Sequence, residues 1–163
     1  GFTFLFIQKQ TSQKKIPPRF YRGAKENYNL IPMFSSMHIG NTASVEFLVS
    51  KKMQPQFDGI IIHPVCSTWD LAHQFEIAAR KALVPHLEES EEGIGSHLEI
   101  DHIAPAQLGS TVKVTATISE LDESTVVCTL EAISKNTVVA TGKQIQRVYP
   151  AEIIRQIISN ANN

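Results

Sequence analysis

The chain has 163 residues, 42% hydrophobic and 19% charged, the proportions of an ordinary globular domain and of neither a fibre nor a disordered tail. No apolar run approaches the ~18 consecutive residues of a spanning helix, so no membrane span is expected. The formal net charge of −1 divides into a basic first 36 residues, with six Lys/Arg against Glu26, and a remainder with nine Lys/Arg against fifteen Asp/Glu; a body of that sign repels phosphate backbones and disfavours nucleic acid as a partner.

Residues 1–36 read as a basic N-terminal extension and residues 37–163 as one domain. The extension opens on the apolar Phe2 to Ile7, turns polar, and carries Pro17-Pro18 without a helical or strand period. Three readings stay open for it: a packed extension, the remnant of an organelle-targeting segment, or sequence upstream of a start at Met33 or Met37. An intracellular, cytoplasmic protein is expected, with organelle delivery by this segment as the alternative.

Regular patterning begins at Asn41. Val45, Phe47 and Val49 alternate within Ala43 to Val49 and predict a first strand. Pro55, Asp58 and Gly59 mark a turn before the apolar Ile60 to Ile62. Ser67 and Thr68 are candidate caps for a helix of about five turns, on which Leu71, Phe75, Ala78, Ala79 and Ala82 recur at three- and four-residue spacing. The helix ends near Pro85 to Leu87, where Glu88 to Gly93 reads as a solvated acidic loop.

Everything after that loop has strand character. Ile94 to Ile103, Thr111 to Leu121, Thr125 to Ser134 and Thr137 to Tyr149 are four strands, and the short connections Asp122 to Ser124 and Lys135-Asn136 suit antiparallel hairpins. Ile153, Ile154, Ile157 and Ile158 then repeat at helical spacing. A long helix followed by antiparallel strands predicts an α+β domain in which a curved sheet wraps around the helix. Cys66 and Cys128 stand far apart without metal-site spacing and read as reduced core residues.

Several side chains could carry chemistry, and each has a plain structural alternative. Thr68 sits where unpaired backbone N–H groups of Trp69 and Asp70 would open the helix, but capping alone explains it. Glu76 lies eight residues on, about 12 Å along the helix and about 80° around it, and could simply pair with Arg80 at i+4. His102 closes a strand face formed by Ile94, Ser96, Leu98 and Ile100, or is a strand-end histidine satisfied by backbone. Gly95 is a site of close approach or a bulge. His97, Glu99 and Asp101 share a strand face from which His102 is excluded, so no metal set is expected. Neither His63 nor His73 gives Cys66 an oriented partner, and nucleotide and zinc-protease motifs are missing from the sequence.

Three stretches together resemble the hotdog-fold thioesterases, most closely the fluoroacetyl-CoA thioesterase-like group: Cys66-Ser-Thr-Trp-Asp-Leu-Ala-His-Gln-Phe-Glu-Ile-Ala-Ala79, Gly93-Ile-Gly-Ser-His-Leu-Glu-Ile-Asp-His-Ile-Ala-Pro105 and Gly109-Ser-Thr-Val-Lys-Val114. The resemblance spans roughly Ala43 to Tyr149. It implies a hotdog fold and hydrolysis of an acyl-CoA or related thioester to free acid and thiol. It also implies a catalytic set of Thr68, Glu76 and His102, with Gly95, Ser67 and Trp69 toward the substrate. Trp69 stands where the family commonly has Pro, and Asp101 where a small or apolar residue precedes the His; both bear on substrate choice. No metal or redox cofactor is expected, CoA entering as the carrier half of the substrate. The resemblance implies self-association as a homodimer or dimer of dimers. The alternatives are a hotdog hydratase or dehydratase, and a non-catalytic protein that binds acyl ligands.

Overall fold

The computed structural model describes residues 36–161. The extension foreseen over residues 1–36 lies outside these except for Ser36, whose hydroxyl meets His86 Nδ1 at 3.0 Å. Strand β1 (Thr42–Leu48) is followed by a small hairpin, β2 (Gln56–Phe57) and β3 (Ile60–Ile61). Its turn needs left-handed backbone at both central positions, supplied by Asp58 (φ 50°) and Gly59 (φ 83°). Helix α1 (Thr68–Leu83) comes next and runs into a short 3-10 turn, Val84–His86. Four long strands complete the sheet, β4 (Glu91–His102), β5 (Thr111–Asp122), β6 (Thr125–Ser134) and β7 (Thr137–Pro150), and α2 (Ala151–Asn160) closes the chain.

The main sheet is antiparallel in the order β1-β5-β6-β7-β4, so β4 is an edge strand although it precedes β5 in sequence. Its concave face takes α1. Leu71, Phe75, Ala78, Ala79 and Leu83 of the helix are fully buried against Val112, Val114, Ala116 and Ile118 of β5 and against Cys128, Ala132 and Ala140. At roughly 1.5–3 kcal/mol for each large apolar side chain removed from water, this single layer supplies most of the drive to fold. Gly142 on β7 lets the two layers meet: a Cβ there would lie 2.3 Å from the Glu99 carbonyl and 2.8 Å from the Phe75 ring.

Four details depart from the sequence pattern. Ser67 caps α1 (φ −72°, ψ 155°), its hydroxyl accepting the Asp70 N–H at 3.2 Å, so Thr68 is the first helical residue and not the cap. The acidic stretch is only partly a loop, because Glu91 and Glu92 already belong to β4. Arg80 turns to Glu92 at 2.8 Å and not to Glu76, and with the Gly93 N–H behind it this bond holds the Glu92 carboxyl below its ordinary pKa.

The fourth is a bulge in β4. Gly95 pairs with Gln146 and His97 with Ile145, so Ser96 is an extra residue. Before it the inward positions are Gly93 and Gly95, and after it Leu98, Ile100 and His102, opposite Gln144, Gly142 and Ala140 of β7. Ile94 and Ser96 therefore leave the face that strict alternation assigned to them; Ile94 is 37% exposed and the Ser96 hydroxyl donates to the Ile145 carbonyl. Among the described residues no helix is long and apolar enough to cross a membrane.

Candidate active site

The start of α1 is fixed by backbone. The Ser67 N–H donates to the Met53 carbonyl at 2.7 Å, and the Cys66 N–H to the Ala106 carbonyl at 2.8 Å, which ties the helix entry to the segment that follows β4. That segment is itself held where β4 ends, the Ile103 N–H donating to the Val139 carbonyl at 2.8 Å. Two neighbouring anchors thus bring the first residue of α1 to the last residue of β4. Thr68 Oγ1 and His102 Nδ1 share a hydrogen bond of 3.0 Å, with the hydroxyl as donor when Nδ1 carries no proton. His102 Nε2 is buried and has no hydrogen-bond partner among the described residues.

Glu76 occupies a second point, deeper along the helix. Its side chain turns to the sheet, where Oε2 accepts a hydrogen bond from Gln144 Nε2 of β7. Gly95 lies directly beneath: a Cβ there would stand 3.3 Å from Glu76 Oε2 and 3.5 Å from Gln144 Nε2. Gly95 is therefore both next to the bulge and against the carboxylate, uniting the two readings its position allowed. Thr68 meets His102, and Glu76 meets Gly95 and Gln144. The two pairs stay about 12 Å apart along the helix, the rise of eight residues.

The remaining candidates sort by exposure and partner. Ser67 is 2% exposed and its hydroxyl also donates to the Asp70 carboxylate, so that side chain is taken up by the helix cap. The cap consumes the Asp70 N–H as well, whereas the Trp69 N–H, by its place in the first turn, has no acceptor within the helix. The Trp69 indole is 48% exposed and stands edge-on to Phe57 of β2, ring centroids 5.6 Å apart. Asp101 is outward-facing. With Glu99, Thr115, Thr117, Thr129 and Thr141 it lines an open depression of about 500 Å³ on the side of the sheet away from the helix. Cys66 is fully buried, and burial, followed by the Asp70 charge, pushes its thiol up to about 12; burial alone takes Cys128 to about 11. Neither supplies a thiolate at neutral pH. Among the described residues no three His, Cys, Asp or Glu side chains converge as a metal set would.

Gln144 is the site residue that sequence reasoning passed over. The signal was present: Gln144 and Gln146 share the parity of Ala140, Gly142 and Val148 on an inward strand face, where a long amide is out of place without a partner. Gln146 finds its partner in the Ala79 carbonyl at 3.0 Å.

Comparison with known proteins places this geometry in context. The model of the fluoroacetyl-CoA-specific thioesterase family, FlK, matches residues 49–152. The chain is similar to a Thermus thermophilus hypothetical protein of the thioesterase superfamily, with 29% identity, TM-score 0.75, and coverage of 78% of this chain and 95% of that one. It is similar also to a hot-dog-like protein from Thermanaerovibrio acidaminovorans, at 21% identity and TM-score 0.72 over 83% and 98% of the two chains. A variant of FlK solved in complex with acetyl-CoA matches at 19% identity and TM-score 0.70, over 78% of this chain and the whole of that one. No curated protein matches the sequence.

Proposed function

Since the chain belongs to the fluoroacetyl-CoA-specific thioesterase family and folds as a hotdog domain, its chemistry is thioester hydrolysis, and we propose that its substrate is an acyl-CoA, cleaved by Thr68, Glu76 and His102. The observation that carries this assignment is the pairing of Thr68 with His102 while Glu76 turns inward onto Gly95, away from Arg80. The resemblance to the family implies Thr68, Glu76 and His102 as the catalytic set, with Gly95 toward the substrate.

Hydrolysis requires addition of an oxygen to the thioester carbonyl, a place for the negative charge that develops, and a proton for the departing thiolate. Glu76, as the ionised carboxylate, takes the proton of the attacking water or adds to the carbonyl itself. Gly95 keeps the space above that carboxylate free of a side chain. The Trp69 N–H, at the positive end of α1, is the donor aimed at the oxyanion. His102, coupled to the Thr68 hydroxyl, acts as general acid and base and returns a proton to sulfur. Side chains and water suffice for these steps, without metal or redox cofactor. Exposed Phe57, Ile60, Ile61 and Trp69 beside the helix start offer apolar surface to the acyl or pantetheine portion. An acyl-CoA substrate goes with action inside the cell, in the cytoplasm.

A homodimer completes this reading. Among the described residues, strand β4 is a twelve-residue edge that pairs with a neighbouring strand on one side only. Antiparallel pairing with its copy, centred on Glu99 and with Ser96 again the extra residue, would set Gly95 opposite His102 of the partner subunit, both on the concave face. The twofold would then bring the Thr68–His102 pair of one protomer toward the Glu76–Gly95 pair of the other, closing the gap left within one chain.

The assignment is tested by steady-state hydrolysis of a panel of acyl-CoAs, with release of CoA thiol as the readout. A general base contributes ~100- to 10,000-fold, so Glu76→Gln and His102→Ala should each lower kcat at least about a hundredfold. Folded variants that turn over near the wild-type rate would remove both residues from the mechanism.

A further inference from the structure

We propose that Gln144 is a positioning residue for Glu76, holding its carboxylate in the orientation that hydrolysis uses; the inference rests on the role assigned to Glu76 above. Gln144 is 1% exposed, at the centre of β7, opposite Leu98 on one side and Cys128 on the other. A long amide in such a place costs desolvation at both its polar ends. Only one end is compensated: Nε2 donates to Glu76 Oε2, while Oε1 has no hydrogen-bond partner among the described residues. A leucine or methionine of similar volume would fill the same space without an orphaned acceptor, so core packing does not explain the glutamine.

The hydrogen bond explains it. Glu76 has a cation at i+4, Arg80, toward which a helical carboxylate would ordinarily swing. Arg80 is drawn off by Glu92 and by the Gly93 carbonyl, and Gln144 captures Glu76 on the opposite side, over Gly95. An amide N–H suits the task because it is neutral: it fixes the carboxylate without neutralising it, as a lysine would, and keeps it a competent base or nucleophile. Among the described residues the sheet face opposite Glu76 carries no other charged side chain. Gly93, Gly95, Leu98, Ile100 and Gln146 face the helix from β4 and β7, Lys143 and Glu99 lie on the outer face of the sheet, and His73, one turn earlier on α1, is exposed.

Two variants test this, Gln144→Met and the near-isosteric Gln144→Glu, with Glu76→Gln measured in parallel. Gln144→Met should lower kcat about tenfold or more while KM stays within about twofold, because the carboxylate loses its hold and the substrate contacts do not change. Gln144→Glu sets two carboxylates together, and mutual repulsion should move the acid limb of the kcat profile upward by about one pH unit or more. A merely structural glutamine would behave otherwise: melting temperature would fall in either variant with kcat and the acid limb unchanged, and that result overturns the proposal. If Gln144→Met does not fold, the acid limb of Gln144→Glu decides by itself. Normal turnover by Glu76→Gln would overturn the role of Glu76, and the present inference with it. Impaired Glu76→Gln beside unimpaired Gln144 variants would overturn this inference alone.

Discussion

Two adjacent hydroxyls at the mouth of α1 divide two tasks between them. Ser67 has the extended backbone of a cap and spends its side chain on Asp70, whereas Thr68, one residue inside the helix, is free to reach His102. Ser67→Ala should therefore cost about 1 kcal/mol of stability, a fall of about 2–4 °C in melting temperature, with less than about a tenfold change in kcat. Thr68→Ala should show the reverse, a near-unchanged melting temperature and kcat lowered at least about tenfold, and Thr68→Ser should keep most activity. Calorimetry and acyl-CoA turnover on the same preparations would separate the two; a Thr68→Ala protein that loses stability but not rate would return that residue to a capping role. From composition alone both residues qualified as caps, because what distinguishes them is a backbone angle that a list of residue types does not contain. Glu76 was ambiguous for a related reason, its ion-pair alternative depending on where Arg80 goes, and Arg80 is claimed by β4 from a distant part of the chain.

At the scale of elements, strands β5, β6 and β7 were legible almost to the residue. Their one-face burial writes itself into alternation, and their hairpins into short polar connections. The capped amphipathic helix was legible for the same reason, an apolar stripe with 3.6-residue period against a sheet. The bulge was not. Gly95 and His102 are seven residues apart, an odd number, and in a regular strand they would face opposite sides; the inserted Ser96 reconciles them. How closely helix and sheet approach was likewise hidden. Gly142→Ala would drive a Cβ into the Glu99 carbonyl and the Phe75 ring, neither of which can yield without shifting backbone or core. A loss of about 1–3 kcal/mol is expected, read as a lower denaturant midpoint, together with reduced kcat as α1 lifts Glu76 from Gln144. An unchanged midpoint would mean that the layers have more freedom than this contact implies.

The whole molecule is where the proposed twofold makes its sharpest claim. Mixing His102→Ala with Glu76→Gln, each inactive alone, and allowing subunits to exchange should restore about a quarter of wild-type activity: half of the dimers are mixed, and each mixed dimer has one site with both groups intact. Light scattering should return twice the subunit mass. Activity that stays absent in exchanged mixtures would confine the site to one chain. The proposed sharing lies beyond the reach of sequence, since no residue pattern along β4 says what lies across its open edge, whereas the edge itself follows from sheet order. The extra residue at Ser96 then acquires a meaning outside catalysis. It works as a correction of reading frame written in side chains: one inserted residue restores phase, so that Leu98, Ile100 and His102 face the helix as Gly93 and Gly95 do. Loss or gain of a single residue anywhere between Gly95 and His102 would put one end of the strand out of phase with the other, while the connection at Glu88 to Ser90 could change length without disturbing it. Descendants of this chain are accordingly free to vary in loop length but bound to preserve an odd count across seven positions of one strand.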